Sequence, residues 1–192
     1  MGIKAMPIIN RKQRLSEARE IMRLTGNDLD ELDSVSNDRV RDLSEVIIRQ
    51  VVTGTVVTDY TLIDEILAEI IVRYFFGSKK LHVGPQWRLK KYRIFVHHML
   101  DETYLLKKMS IVNAIGRMPA EIRSSIHRVN TLRNAIAHAF FPENRKEYRK
   151  VRKLLYLKKN VFSSRGFKVY YEDSSKLIDY LQRRLACTRS PH

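Results

Sequence analysis

Apolar positions recur along most of this chain at helical spacing. Residues 11–24 place Leu15, Ala18 and Ile21 or Met22 on one side of a run of basic and acidic residues, which predicts a short helix with a solvated basic face. Thr25 to Asp38 is acidic and rich in Gly, Asn and Ser, a loop or linker composition. Asp38 can cap a second helix running to about Gln50, with Val40, Leu43, Val46 and Ile47 inward. The β-branched segment 51–58 contains Gly54 and predicts a bent connection rather than a continuous rod. From Thr58 or Asp59 a wide stripe of Leu62, Ile63, Ile66, Leu67, Ile70, Ile71, Tyr74 and Phe75 predicts a central helix that stops at Gly77. Asp64, Glu65 and Glu69 fall to its solvated face.

Helical spacing resumes over residues 92–117, with Phe95, Val96, Met99, Leu100, Leu105, Met109, Val112 and Ile115 inward, and ends at Gly116. The next helix runs from about Pro119 to Phe140, stopping before Pro142. Alternation around Leu155, Leu157 and Val161, then Gly166 and the run Phe167 to Tyr171, predicts two short strands as a hairpin. Asp173 or Ser174 caps a last helix to about Leu185, with Leu177, Ile178, Leu181 and Leu185 inward. The expected fold is mainly α: an up-and-down helical bundle with a small β-hairpin before the C-terminal helix. The expected domains are a basic N-terminal arm and helical extension over 1–57, a helical domain over 58–186 and a flexible tail over 187–192.

One helix breaks its own pattern. With Ile122 as zero and about 100° per residue, Ile126 falls near 40°, Val129 near 340°, Ile136 near 320° and Phe140 near 0°. Arg133 falls at about 20°, inside the apolar stripe. A charge there needs a partner or a use, because leaving water is costly. Asn134 (about 120°), His127 (about 140°) and His138 (about 160°) share the adjoining polar face.

Charge narrows the choice of ligand. Thirty-six Lys and Arg against 21 Asp and Glu give a net +15, which favours nucleic acid or an acidic partner. Hydrophobic content of 44% is ordinary for a globular domain, and no apolar run approaches the roughly 20 residues of a membrane span. Ile3 to Ile9 is too short and too broken for a signal peptide, and the single cysteine, Cys187, excludes an internal disulfide and a cysteine zinc cage, so a cytoplasmic location is expected.

Two basic stretches are candidate RNA contacts. In the loop 78–91, Lys79, Lys80 and Arg88 surround Trp87, which either stacks on a base or pins the loop to the bundle. Arg145, Lys146 and Arg149 open a second basic run. His97 and His98 are adjacent, point in different directions and make a poor metal pair. No carboxylates and histidines at ligand spacing converge on the late helix, so neither a metal nor another cofactor is expected.

The segment Arg133-Asn134-Ala135-Ile136-Ala137-His138, in this helical setting, resembles the signature of the HEPN superfamily of prokaryotic defence and toxin domains: an arginine, commonly followed by Asn, and then a histidine four to six residues on. The run from Lys107 to His138 is similar to the lysine-containing helix, turn and Leu-Arg-Asn helix of the Abi-like groups. The resemblance covers about residues 58–186. It implies a metal-independent endoribonuclease that acts as a homodimer, a toxin or abortive-infection effector cleaving tRNA or mRNA. It implies Arg133 and His138 as the catalytic pair, with Asn134 as polar neighbour; His127 is a further accessory on the same face.

These residue types suit RNA cleavage. Histidine exchanges protons near neutral pH, and arginine clamps phosphate through parallel hydrogen bonds. Arg133 and His138 stand about 140° apart on a straight helix, so either the helix bends or ends near Ala137, or the arginine reaches around at a dimer seam. Three other readings compete: Arg133 in a buried ion pair with Glu65, Glu69 or Asp101 while His138 caps the helix end; a non-catalytic RNA- or protein-binding module; and a regulatory partner in a toxin–antitoxin or abortive-infection pair, neutralised by an acidic antitoxin or other partner.

Overall fold

A computed structural model describes residues 11–26, 37–77, 89–136 and 154–188, with side chains from residue 13 in the first segment and residue 43 in the second. The fold is mainly α. Helices α1 (Arg11–Leu24), α2 (Asn37–Phe76) and α3 (Lys90–Phe95) lead into a π-helical turn (Val96–Leu100). Helices α4 (Leu105–Ile115) and α5 (Ala120–Ile136) follow, then strands β1 (Leu155–Tyr156) and β2 (Lys159–Asn160), and finally α6 (Ser164–Cys187). The chain divides into two compact units, one of residues 1–56 and 135–171, the other of 57–134 and 172–192.

In the first unit, α1 buries Ala18 and Ile21 as its spacing requires. The opening of α2 differs from expectation. Its buried positions are Ser44, Ile48, Arg49, Val52 and Val56, while Leu43 and Val46 are exposed. Val40 lies outside the described side chains. Arg49 can lie inward because Glu45 accepts from its Nε at 2.9 Å and its guanidinium sits 5.0 Å from the centroid of Phe162. Glu45 also accepts from the Nε of Arg14 at 2.8 Å, and Arg14 further donates to Glu17 at 2.6 Å and to the Phe162 carbonyl at 3.1 Å. Burial opposes the charge on Arg14, but these carboxylates hold its pKa above the ordinary value.

Residues 51–58 are helical, not a bent connection. Val52 and Val56, one turn apart, are completely buried, the Thr55 hydroxyl donates to the Val51 carbonyl at 2.8 Å, and Gly54 faces open space. Packing of two valines outweighs the roughly 1 kcal/mol that a mid-helix glycine costs.

The hairpin is smaller than its sequence pattern predicts. Leu155 pairs with Asn160 and Tyr156 with Lys159, around a two-residue turn in which Leu157 and Lys158 have φ of 47° and 67°. The run Phe167–Tyr171 is helical instead: Ser163 caps α6, its hydroxyl accepting from the Gly166 N–H at 3.1 Å and its carbonyl from the Phe167 N–H at 2.8 Å. Phe167 and Tyr170 then share one buried face, with Tyr156 edge-on to Tyr170 at 5.1 Å. Helix α6 therefore starts nine residues before Asp173, the earlier of the two expected caps.

In the second unit, Ile63, Ile66, Leu67, Ile70 and Ile71 of α2 are buried as expected, whereas Leu62 and Phe75 are exposed. Gly77, with φ +60°, follows the end of α2. The continuous helix expected over 92–117 is interrupted. Asp101 N–H bonds to the Val96 carbonyl at 2.9 Å, five residues back, and the chain turns before restarting at Leu105. This shift leaves Met99 exposed and Leu100 buried.

Long basic side chains join the helices of this unit. Lys108, 5% exposed, meets Asp64 at 2.6 Å, so Asp64 is a partner in an ion pair rather than a merely solvated group. Arg73 bonds Glu69 at 3.2 Å and the Leu185 carbonyl at 2.9 Å, near the end of α6. Arg184 donates to the carbonyls of Val112 (2.8 Å) and Gly116 at the end of α4. Arg128 of α5 meets Asp173 of α6 at 3.0 Å.

Two substitutions test this account. Glu45→Gln withdraws the charge that serves both Arg14 and Arg49 and is expected to lower unfolding free energy by about 2–3 kcal/mol in urea titrations. A loss under about 0.5 kcal/mol would assign Glu45 to an ordinary surface pair. Gly166→Ala places a methyl 1.8 Å from the Asn160 carbonyl oxygen, and a destabilisation of about 2–3 kcal/mol is expected by the same measurement. An unchanged midpoint would contradict that close approach.

Candidate functional site

Helix α5 follows Pro119, whose carbonyl accepts from Arg123 N–H at 3.2 Å. It buries Ser125, Ile126, Val129, Leu132, Ala135 and Ile136. Arg133 lies beside this buried face and is itself half-buried, while Asn134 and His127 are exposed. The helix is described to Ile136, so His138 lies outside the described residues, as do Lys79, Lys80, Trp87, Arg88, Arg145, Lys146 and Arg149.

The surroundings of Arg133 differ from an ordinary buried cation. Its guanidinium carbon sits 4.7 Å from the ring centroid of Tyr60 on α2, a cation–π stack. Its Nη1 donates to the Asn134 side-chain oxygen at 3.3 Å, and its Nε is buried with no hydrogen-bond partner among the described residues. Among the described residues no carboxylate pairs with it. Two of the acids expected to do so are engaged elsewhere, Glu69 with Arg73 and Asp101 with His97 at 3.2 Å, and Glu65 makes no ion pair with it. Arg133 thus keeps its charge and part of its donor fork while a neutral ring meets its face.

Structure brings Arg133, Asn134 and Tyr60 together and leaves His127 on the exposed face, where its carbonyl accepts from the Thr131 hydroxyl at 2.9 Å. Tyr60 carries no sequence signal: it precedes the apolar stripe of α2, and only the tertiary fold places it under an arginine 73 residues later. Burial raises the pKa of its phenol, while the charge of Arg133 lowers it and that of Asp64 raises it.

A cavity of about 240 Å³ lies elsewhere in the same unit, walled by Asp64, Glu65, Glu69 and Asp101 over a floor that includes Ala68 and Val72. Lys108 lines it too, and Arg133 does not. Among the described residues no three His, Cys, Asp or Glu converge as metal ligands, and no helix is long and apolar enough to cross a membrane. Compared with protein-family models, curated proteins and solved structures, the chain matches none.

The stack has a spectroscopic consequence. Arg133→Ala removes a positive charge that favours phenolate, so the Tyr60 resonance in ¹³C-tyrosine spectra is expected to titrate at higher pH than in the wild type. Because the folded-state pKa is raised, the stability it contributes is present below the ordinary tyrosine pKa and is lost as pH rises through the folded value. An unchanged Tyr60 titration would contradict the contact.

Proposed function

We propose that this chain is a metal-independent endoribonuclease of the HEPN type, acting on tRNA or mRNA as a toxin or abortive-infection effector. One observation carries the reading: an arginine beside the buried face of α5 is held by an aromatic ring and paired with no carboxylate among the described residues. An arginine so placed is suited to a phosphate. The net charge of +15 supplies affinity for a polyanion.

Arg133 clamps the scissile phosphate and stabilises the added negative charge of the transition state. His138 exchanges the proton that must leave the 2′-hydroxyl as its oxygen attacks phosphorus. The 5′-oxygen departs with a proton, leaving a 2′,3′-cyclic phosphate. Asn134, bonded to Arg133, orients the arginine and contacts ribose. His127 extends the same polar face, and the basic stretches with Lys79, Lys80, Trp87, Arg88, Arg145, Lys146 and Arg149 track the backbone. Two copies form one cleft, the protein resides in the cytoplasm, and an acidic antitoxin neutralises it.

Labelled single-stranded RNA and mixed tRNA, incubated in EDTA, test the reading. The wild type is expected to leave cyclic-phosphate ends, and Arg133→Ala and His138→Ala are each expected to lower the rate by about 100-fold or more. RNA binding without cleavage, equal in all three proteins, would instead identify a non-catalytic RNA-binding module.

A further inference from the structure

Resting on the reading that Arg133 engages RNA phosphate, we propose that Tyr60 is its positioning residue, holding the guanidinium over its ring so that the donor fork meets phosphate already restrained. Tyr60 is not a catalytic residue in this proposal, because it acts through Arg133.

The restraints on Arg133 are few. Its Nε has no hydrogen-bond partner among the described residues, and its Nη1 makes one bond, at 3.3 Å, to the neighbouring Asn134. An unrestrained arginine side chain loses rotamer entropy on binding, and one already held loses less. The Tyr60 ring, 4.7 Å from the guanidinium carbon, is the further contact that restrains it. A carboxylate in its place would also hold the arginine, but would cancel the charge that phosphate needs.

One acid near this ring is already occupied. Asp64 stands one helical turn beyond Tyr60 on α2, close enough for its charge to act on the Tyr60 phenol. Lys108, itself buried, binds Asp64 at 2.6 Å and holds it in another pair. The neutral ring and the Lys108–Asp64 pair together preserve a charged, oriented arginine.

Fluorescence anisotropy in EDTA with a labelled 2′-deoxy oligonucleotide, which has no 2′-hydroxyl and so is not cleaved by this route, tests the proposal apart from catalysis. Four proteins form a double-mutant cycle: wild type, Tyr60→Leu, Arg133→Ala and the double variant, with Tyr60→Phe as the conservative control. Tyr60→Leu is expected to weaken binding by about five- to tenfold, Tyr60→Phe by less than about twofold, and Tyr60→Leu is expected to add nothing once Arg133 is alanine. Tyr60→Met replaces Tyr60→Leu if the latter does not fold. An equal loss in both arginine backgrounds would assign Tyr60 a general structural or base-stacking role and overturn the proposal, with the ribonuclease reading untouched. Full binding by Arg133→Ala would overturn it too, by removing the phosphate contact it serves. The expected cycle without cleavage of ribose RNA by the wild type would uphold the positioning role and reject the ribonuclease.

Discussion

A cation withdrawn from water must be met by something, and this chain meets that demand repeatedly with long basic side chains. Arg14 and Arg49 share Glu45, Arg73 and Arg184 reach helix-end carbonyls, Lys108 takes Asp64, and Arg128 takes Asp173. These links fasten α1 to α2 in one unit, and α2, α4, α5 and α6 in the other. A chain this basic can therefore bury arginine without losing its core. Arg133 is satisfied differently, by a ring and a neutral amide.

That difference gives the functional reading its physical content. A guanidinium neutralised by a carboxylate has little left for phosphate, whereas one stacked on an aromatic face keeps both its charge and part of its fork. Glu69 pairs with Arg73 and Asp64 with Lys108, and both line the cavity between α2 and the π-helical turn.

Much of the helical content was legible because burial follows the 3.6-residue period where a helix has a single apolar stripe: α1, the second half of α2, the Gly116 stop and the inward residues of α5 are of this kind. Arg133 stood out for the same reason, as a departure from a clear pattern, although it lies half-buried beside the stripe rather than inside it. Continuity through Gly54 was not, because burial of Val52 and Val56 is a tertiary fact that overrides a weak local preference. Phe167 to Tyr171 has the composition of a strand, and only the Ser163 cap and the buried face shared by Phe167 and Tyr170 make it helical. The hairpin turn at Leu157 and Lys158 lacks the Asn-Gly signal that such φ values favour. Tyr60 was illegible in principle, since its role depends on a contact between helices far apart in sequence.

If Arg133 is poised for phosphate as proposed, the ¹⁵N–¹H spectrum of its guanidinium responds to titration with inorganic pyrophosphate. The account predicts a saturable shift of the Arg133 Nε–H signal, while those of Arg73 and Arg184, committed to carbonyls, stay in place. An Arg133 signal unmoved through the titration, or one that moves no more than theirs, would contradict it.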